Sequence, residues 1–233
     1  MKILKNLYKK YFGRYVYHNF PFPTTTPLPP TATVQMQRGC QILDELEIPY
    51  TLADGTLLAV YRDNKLIAHD TDIDVAVVTP VDYQKIETAF IENGFTLGRK
   101  VMYKGAVMQS VFYAPDKTLF DIIYYTRYGE DVYNFCEDDY YFKHREYHYR
   151  NTETIVFEGF KYKIPDDPQG WLEETYGKNW RTPTKSAHND WRQDETFYAA
   201  SGKYDGVPEK VLKEAGFEMK RPKKLEWQLP KFF

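Results

Sequence analysis

The chain has 233 residues, enough for one sizeable core plus an extension. Its formal charge of −2 argues against nucleic-acid binding driven by a basic field, and no apolar run reaches the roughly 20 residues that span a bilayer. Two cysteines, Cys40 and Cys136, supply neither a disulfide framework nor a Cys-x-x-Cys metal spacing, which fits a reducing, cytoplasmic compartment.

Residues 1–17 set Leu4, Leu7, Tyr8, Tyr11, Phe12 and Tyr15 near helical spacing, with Lys2, Lys5, Lys9, Lys10 and Arg14 over much of the rest. A basic amphipathic helix of this kind lies on an anionic membrane surface, here as peripheral contact on the inner face, or packs on its own domain or another subunit. The segment has neither the long apolar core nor the small-residue cleavage site of a secretory signal. The Pro/Thr-rich stretch 21–33 forbids a helix and is either a connector or an ordered arm across the domain surface. The expected division is an N-terminal segment and connector, 1–33, and a folded domain, 34–233.

Apolar recurrence from Val34 to Leu46 predicts a helix, ended by Glu47-Ile48-Pro49, and Tyr50–Ala53 begins a strand. Gly55-Thr56 then opens a second helix that carries Arg62. Glycine lets the backbone approach a ligand closely, and the free N–H groups of the helix start attract an anion. Thr56 caps this helix or donates its hydroxyl to a phosphate oxygen; the sequence leaves both open. Asp70, Asp72 and Asp74 follow, the last two leading into Val75–Val78, which has the length and β-branched content of a buried strand. Side chains two apart on a strand share a face, so Asp72 and Asp74 project together. Two such carboxylates repel each other unless a cation lies between them, and a hard divalent ion, Mg²⁺ or Mn²⁺, suits oxygen ligands.

Thr79 and Pro80 read as the cap and first turn of a helix over Val81–Glu92, stopped by Asn93-Gly94. Short β-like runs fill Phe95–Tyr113, and after the turn at 114–117 the run Thr118–Tyr125 is apolar but for Asp121. A lone carboxylate in an apolar strand needs a partner: a metal, a buried Arg or Lys, or a strand edge. Residues 126–152 mix charge with Tyr and Phe and read as solvated or substrate-lining; His144 and His148 lack a zinc-binding pattern. A hairpin hinged at Glu158-Gly159 spans 153–164, and a helix from Pro165–Pro168 runs to Tyr176 and stops at Gly177. The tail holds a helix near Pro208–Ala215 and a basic cluster, Lys220, Arg221, Lys223 and Lys224.

Gly55, Thr56, Leu57, Leu58, Arg62, Asp70, Asp72 and Asp74 together resemble the hallmark of the LicD/fukutin family. Trp171 to Trp180, with Tyr176-Gly177 and the later Pro183, resembles that family's C-terminal signature. The chain departs from the pattern at Asp54 and Ala59, where glycine is frequent, and at Thr71, where a third Asp is common. The resemblance implies an α/β (α+β) fold: a nucleotidyltransferase-like mixed β-sheet core flanked by helices, in which Asp121 joins Asp72 and Asp74 as a third carboxylate. It further implies Asp72, Asp74 and Asp121 as catalytic and metal-binding residues, with Gly55, Thr56, Arg62 and Asp70 facing substrate. The implied reaction moves a phospho-alcohol, such as phosphocholine or ribitol phosphate, from a CDP-linked donor to a glycan or glycolipid hydroxyl, with CMP leaving. Two other readings stay open: a nucleoside-triphosphate-dependent nucleotidyltransferase acting on a small molecule, and a non-catalytic binding domain on the same fold.

Overall fold

The structure is a computed structural model, and it describes residues 14–18, 26–136, 140–183, 197–199, 202–203 and 206–217. The elements in order are β1 (Arg14–His18), α1 (Ala32–Glu45), β2 (Tyr50–Leu52), α2 (Asp54–Asp63), β3 (Asp72–Thr79) and α3 (Tyr83–Glu92). Then follow β4 (Thr96–Tyr103), β5 (Ala106–Tyr113), β6 (Leu119–Tyr128), β7 (Asp131–Asn134), β8 (Tyr140–Arg145) and a 3₁₀ turn, Glu146–Tyr149. The chain closes with β9 (Glu153–Phe157), β10 (Phe160–Ile164), α4 (Pro168–Tyr176), β11 (Gly202–Lys203) and α5 (Val207–Glu214). This is the expected α/β class: one large mixed sheet with helices packed on it.

Strand β6 is the hub. It pairs parallel with β3 on one edge and antiparallel with β5, while its last three residues pair with β7. The ladder continues outward through β5, β4 and β1, and through β7, β8 and β11, with β2 antiparallel to β3. The first eight residues of β6, LFDIIYYT, are all buried, as the near-continuous apolar run requires of a strand covered on both faces.

On the face of Phe120 and Ile122 the cover includes α1 and α3. Gly39 sits against the Phe120 ring so closely that a Cβ would meet it at 2.3 Å, so only glycine lets α1 approach β6 here. Phe90 of α3 stacks on Phe112 at 4.5 Å and touches Phe120 and Phe95, closing this half of the core. On the opposite face Tyr125 packs against His144 and Tyr149, and His144 stacks on Trp171 of α4 at 4.4 Å.

Several boundaries move. The helix expected over 1–17 gives way, in its last part, to β1: Arg14–Tyr17 lie in a strand paired antiparallel with Val101–Tyr103 and Lys100 of β4, whose open edge offers ladder partners. Residues 1–13 lie outside the described residues. The Pro/Thr-rich stretch behaves as an ordered arm where it is described: Leu28 packs on the core and its N–H donates to the Asp70 carbonyl at 2.7 Å. Helix α3 begins two residues later than expected because the Asp82 carboxylate, not Thr79, accepts the first N–H groups, from Gln84 and Lys85. The β9–β10 hairpin and the Gly177 helix stop match expectation. The basic cluster at 220–224 lies outside the described residues. No helix among the described residues is long and apolar enough to cross a membrane.

Candidate active site

Asp72 and Asp74 open β3, and Asp121 stands near the start of β6. The parallel register places Asp74 directly opposite Asp121, so the two share a face, and Asp72 joins them two residues earlier. Ligand oxygens of all three lie within 4.8 Å of one another. Asp74 is 8% exposed and Asp121 3%. Asp121 Oδ2 accepts from Gln109 Nε2 of β5, while Oδ1 is buried with no hydrogen-bond partner among the described residues.

Burial dominates the electrostatics. It pushes Asp121 up to about 8, against the opposing pull of Arg99 and with a further push from Asp72. Asp74 is held well above the usual carboxylate range by burial and by the charges of Asp72, Asp54, Asp121 and Asp70. Asp70 is pushed up to about 7, again by burial first and then by Asp72. Negative charge gathered this tightly in a dry place calls for a cation. An orphaned carboxylate oxygen in an all-oxygen donor set fits a hard divalent ion.

The glycine-led helix start takes a form the sequence did not resolve. Asp54 is the first residue of α2, buried and in the left-handed region at φ +43°, where glycine is the comfortable choice. Thr56 neither caps the helix nor lies open to solvent: its Oγ1 accepts the Asp74 backbone N–H at 2.9 Å. With Ala53 N–H donating to the Asp74 carbonyl at 3.1 Å, both sides of the Asp74 peptide are tied to the start of α2. A Cβ at Gly55 would lie 2.7 Å from Asp70 Oδ2, so a side chain there requires the Asp70 carboxylate to move. The glycine thus admits the Asp70 carboxylate, which Thr71 N–H holds at 3.0 Å.

Arg62 lies in the last turn of α2, paired with Asp63 at 2.7 Å and donating to the Trp180 carbonyl at 3.3 Å. Asp54, Gln109 and Arg99 were not singled out as site residues from sequence. Only Asp54 left a signal there, as a departure from glycine. Gln109 and Arg99 reach Asp121 through strand pairing, with Arg99 Nη2 donating to Gln109 Oε1 at 3.3 Å. His144 and His148, expected in a solvated or substrate-lining segment, are both buried because they converge on Glu174 of α4, at 3.7 and 3.3 Å.

Three aspartates thus gather on one face of a mixed sheet, beside a glycine-led helix start. Residues 47–167 match the LicD/FKTN/FKRP nucleotidyltransferase domain, and the chain belongs to that family. It is 24% identical over 160 residues to the ribitol-5-phosphate transferases FKTN of Macaca fascicularis and Homo sapiens, covering 68% of this chain and 34% of each relative. The Mus musculus counterpart is 25% identical over 159 residues. The chain therefore spans about a third of the length of the curated relatives it matches. Among solved structures, the lincomycin-bound lincosamide antibiotic adenylyltransferase LnuA superposes with a TM-score of 0.43 at 11% identity, covering 63% of this chain and 85% of its own. ANT(2")-Ia in complex with adenylyl-2"-tobramycin does so with a TM-score of 0.37 at 14% identity, covering 59% and 70%.

Proposed function

We propose that this protein transfers a phospho-alcohol, such as ribitol phosphate or phosphocholine, from a CDP-linked donor to a hydroxyl of a glycan or glycolipid, releasing CMP. The observation that carries the reading is the convergence of half-buried Asp72 with buried Asp74 and Asp121 on one point. Membership of the LicD/FKTN/FKRP family and the ribitol-5-phosphate transferase names of the relatives support the choice of reaction.

Asp72, Asp74 and Asp121 are the residues that would hold Mg²⁺ or Mn²⁺, with Oδ1 of Asp121 the oxygen that lacks another partner. Bound there, a divalent cation supplies charge neutralisation at the transferring phosphoryl group. The acceptor hydroxyl oxygen forms a bond to the alcohol-bearing phosphorus, the bond from that phosphorus to the CMP oxygen breaks, and the hydroxyl proton leaves to solvent. Thr56 and Ala53 fix the Asp74 backbone, and Gln109 fixes one Asp121 oxygen, so the carboxylates need little reorganisation. Asp70 lies against Gly55 at the start of α2, and Arg62 reaches an anionic donor by leaving Asp63 and the Trp180 carbonyl.

The test is a single incubation series. The intact chain with Mg²⁺ is given CDP-ribitol, CDP-choline, ATP or CTP in the presence of a glycan acceptor, and CMP and pyrophosphate are measured. CMP from a CDP-alcohol, lost in Asp72→Asn and Asp74→Asn, is expected. Pyrophosphate from a nucleoside triphosphate with no CMP would replace the reading with nucleotidyl transfer.

A further inference from the structure

We infer that the cavity beside the C-terminal half of α4 is a subsite for a neutral, hydroxyl-rich ligand, a sugar or an open-chain polyol. Resting on the transfer proposed above, the same cavity receives the acceptor. It measures about 450 Å³ and is lined by Glu173, Glu174, Gly177, Lys178, Phe197 and Tyr198.

Its walls are fixed before any ligand arrives. The Glu174 carboxylate faces His144 Nδ1 at 3.7 Å and His148 Nε2 at 3.3 Å, and accepts the Arg145 backbone N–H at 3.3 Å. His148 is held from its other side, its Nδ1 lying 2.6 Å from the Asp166 carbonyl. The aromatic wall is docked just as firmly. Ala199 N–H donates to the Glu174 carbonyl at 3.0 Å, and the Phe197 ring fills the place where a Cβ on Gly177 would come within 2.6 Å. Tyr198 donates its hydroxyl to Asp131, with Arg145 4.3 Å and Lys143 4.4 Å from its ring centre. The Tyr176-Gly177 signature therefore has a local purpose: Gly177, at φ +79°, ends the helix and makes room for the ring.

The lining chooses the ligand. Ionised carboxylates only accept hydrogen bonds, so an occupant must bring donors to Glu173 and Glu174. Glu174 already faces two imidazoles and an amide, and Lys178 stands at the same wall, so a cation is not called for. Hydroxyl groups are neutral donors, and the C–H face of a sugar or polyol suits the Phe197 ring. An apolar wall with a few fixed polar groups is the ordinary build of a small-molecule site.

Its position serves the proposed chemistry. Asp121, Ile123 and Tyr125 alternate onto one face of β6, and Tyr125 packs on the Tyr149–His144–Trp171 cluster beneath the cavity. Trp171 Nε1 donates to the Tyr149 hydroxyl at 3.1 Å. Helix α2, which begins at the acidic cluster, packs against α4 and reaches Trp180 through Arg62. The cavity and the carboxylates thus share one side of the sheet.

Saturation-transfer NMR on the intact chain, without donor, tests the subsite with ribitol and maltotriose as neutral probes and choline as a cationic one. Signal from both neutral probes and none from choline is expected. Glu173→Gln, at an exposed position, and Phe197→Ala should each weaken it at least fivefold, while Asp74→Asn keeps it. No signal with the unaltered chain, a signal indifferent to Glu173→Gln and Phe197→Ala, or a signal from choline alone would overturn the subsite. Should Phe197→Ala fail to fold, Glu173→Gln decides. The thermal shift given by CDP-ribitol with Mg²⁺ reads the transfer reaction separately: polyol binding without that shift removes the transfer and the acceptor role but keeps the subsite.

Discussion

Asp74 and Asp121 stand directly opposite each other on adjacent parallel strands, both buried and both on the same face. Paired in this way they oppose folding unless each carries a proton or the pair shares a cation, so the fold and the proposed chemistry meet at one point. Asp121→Asn should therefore raise the thermal stability of the cation-free chain at pH 8.5 while abolishing turnover. The amide still accepts from Gln109 and turns a donor toward Asp72 and Asp74. Differential scanning calorimetry and CMP release check the two halves; a lower melting temperature would contradict the account.

The same argument has a pH form with a definite sign. Asp121 titrates at about 8 and Asp70 at about 7 in the folded chain, both raised by burial from an ordinary 3.8. A raised acid binds its proton more tightly when folded, so its contribution to stability is complete below 3.8 and is lost as pH rises through 7 to 8. Each group costs at most about 1.4 kcal/mol per pH unit within that window. The melting temperature without divalent ions should fall between pH 5 and pH 8.5, and millimolar Mg²⁺ should flatten the fall. A melting temperature that rises over this range in the absence of cations would refute it.

Thr56 links the helix start to the strand that carries the site. Thr56→Val keeps the shape but leaves the Asp74 N–H buried without an acceptor, at a cost of about 1–3 kcal/mol. Turnover should fall with it, since the Asp74 backbone loses its anchor, whereas Thr56→Ser should restore most of both. Urea unfolding and initial rates on the three chains decide the matter.

How much of this was legible in the sequence follows from how local each signal is. The β3 and β6 strands were readable because apolar runs broken only by carboxylates have few other uses. That Asp121 joins Asp72 and Asp74 was implied by the family resemblance, since the run alone left a buried Arg or Lys or a strand edge open. Gly177 and the β9–β10 turn were readable because a helix stop and a tight hairpin are written in two or three adjacent residues. Gly39 was not: its reason is the Phe120 ring, 81 positions away in the chain and invisible to helical periodicity. Nor were His144 and His148, whose polar, Tyr-rich surroundings read as solvated or substrate-lining. They are buried because Glu174 arrives from α4, a pairing that no local pattern announces. Gly55 was recognised, yet its neighbour in space is Asp70 rather than an open cradle, a distinction only packing can draw.

That packing gives a prediction for Gly55 itself. Gly55→Ala places a methyl 2.7 Å from Asp70 Oδ2 and displaces that carboxylate from its bond to Thr71 N–H, at a cost of about 1 kcal/mol. Shortening the neighbour should relieve it, so Gly55→Ala combined with Asp70→Ala should be more stable than the sum of the two single changes implies. A double-mutant cycle by chemical denaturation measures that coupling, and strict additivity would mean that the two residues do not meet.

Glu174 is the test of the fold away from the acidic cluster. Burial alone would raise its titration point, but the facing His144 and His148 rings outweigh it and hold the carboxyl at about 2, below the ordinary 4.5. A lowered acid contributes stability that is complete above 4.5 and is lost as pH falls through 2, so this cluster is at full strength at neutral pH. Glu174→Gln replaces the carboxylate that faces both buried imidazoles with an amide, and leaving buried polar groups poorly matched in this way costs about 1–3 kcal/mol. The loss should show as a lower melting temperature at pH 7 that shrinks toward pH 2, where the unaltered chain loses the same charge. A His148→Gln chain should share the defect, since it removes the contact from the other side while keeping a donor toward Asp166. Equal melting temperatures for all three chains at pH 7 would mean that the carboxylate lies outside the His pair, and the rigid wall assigned to the cavity would have no support.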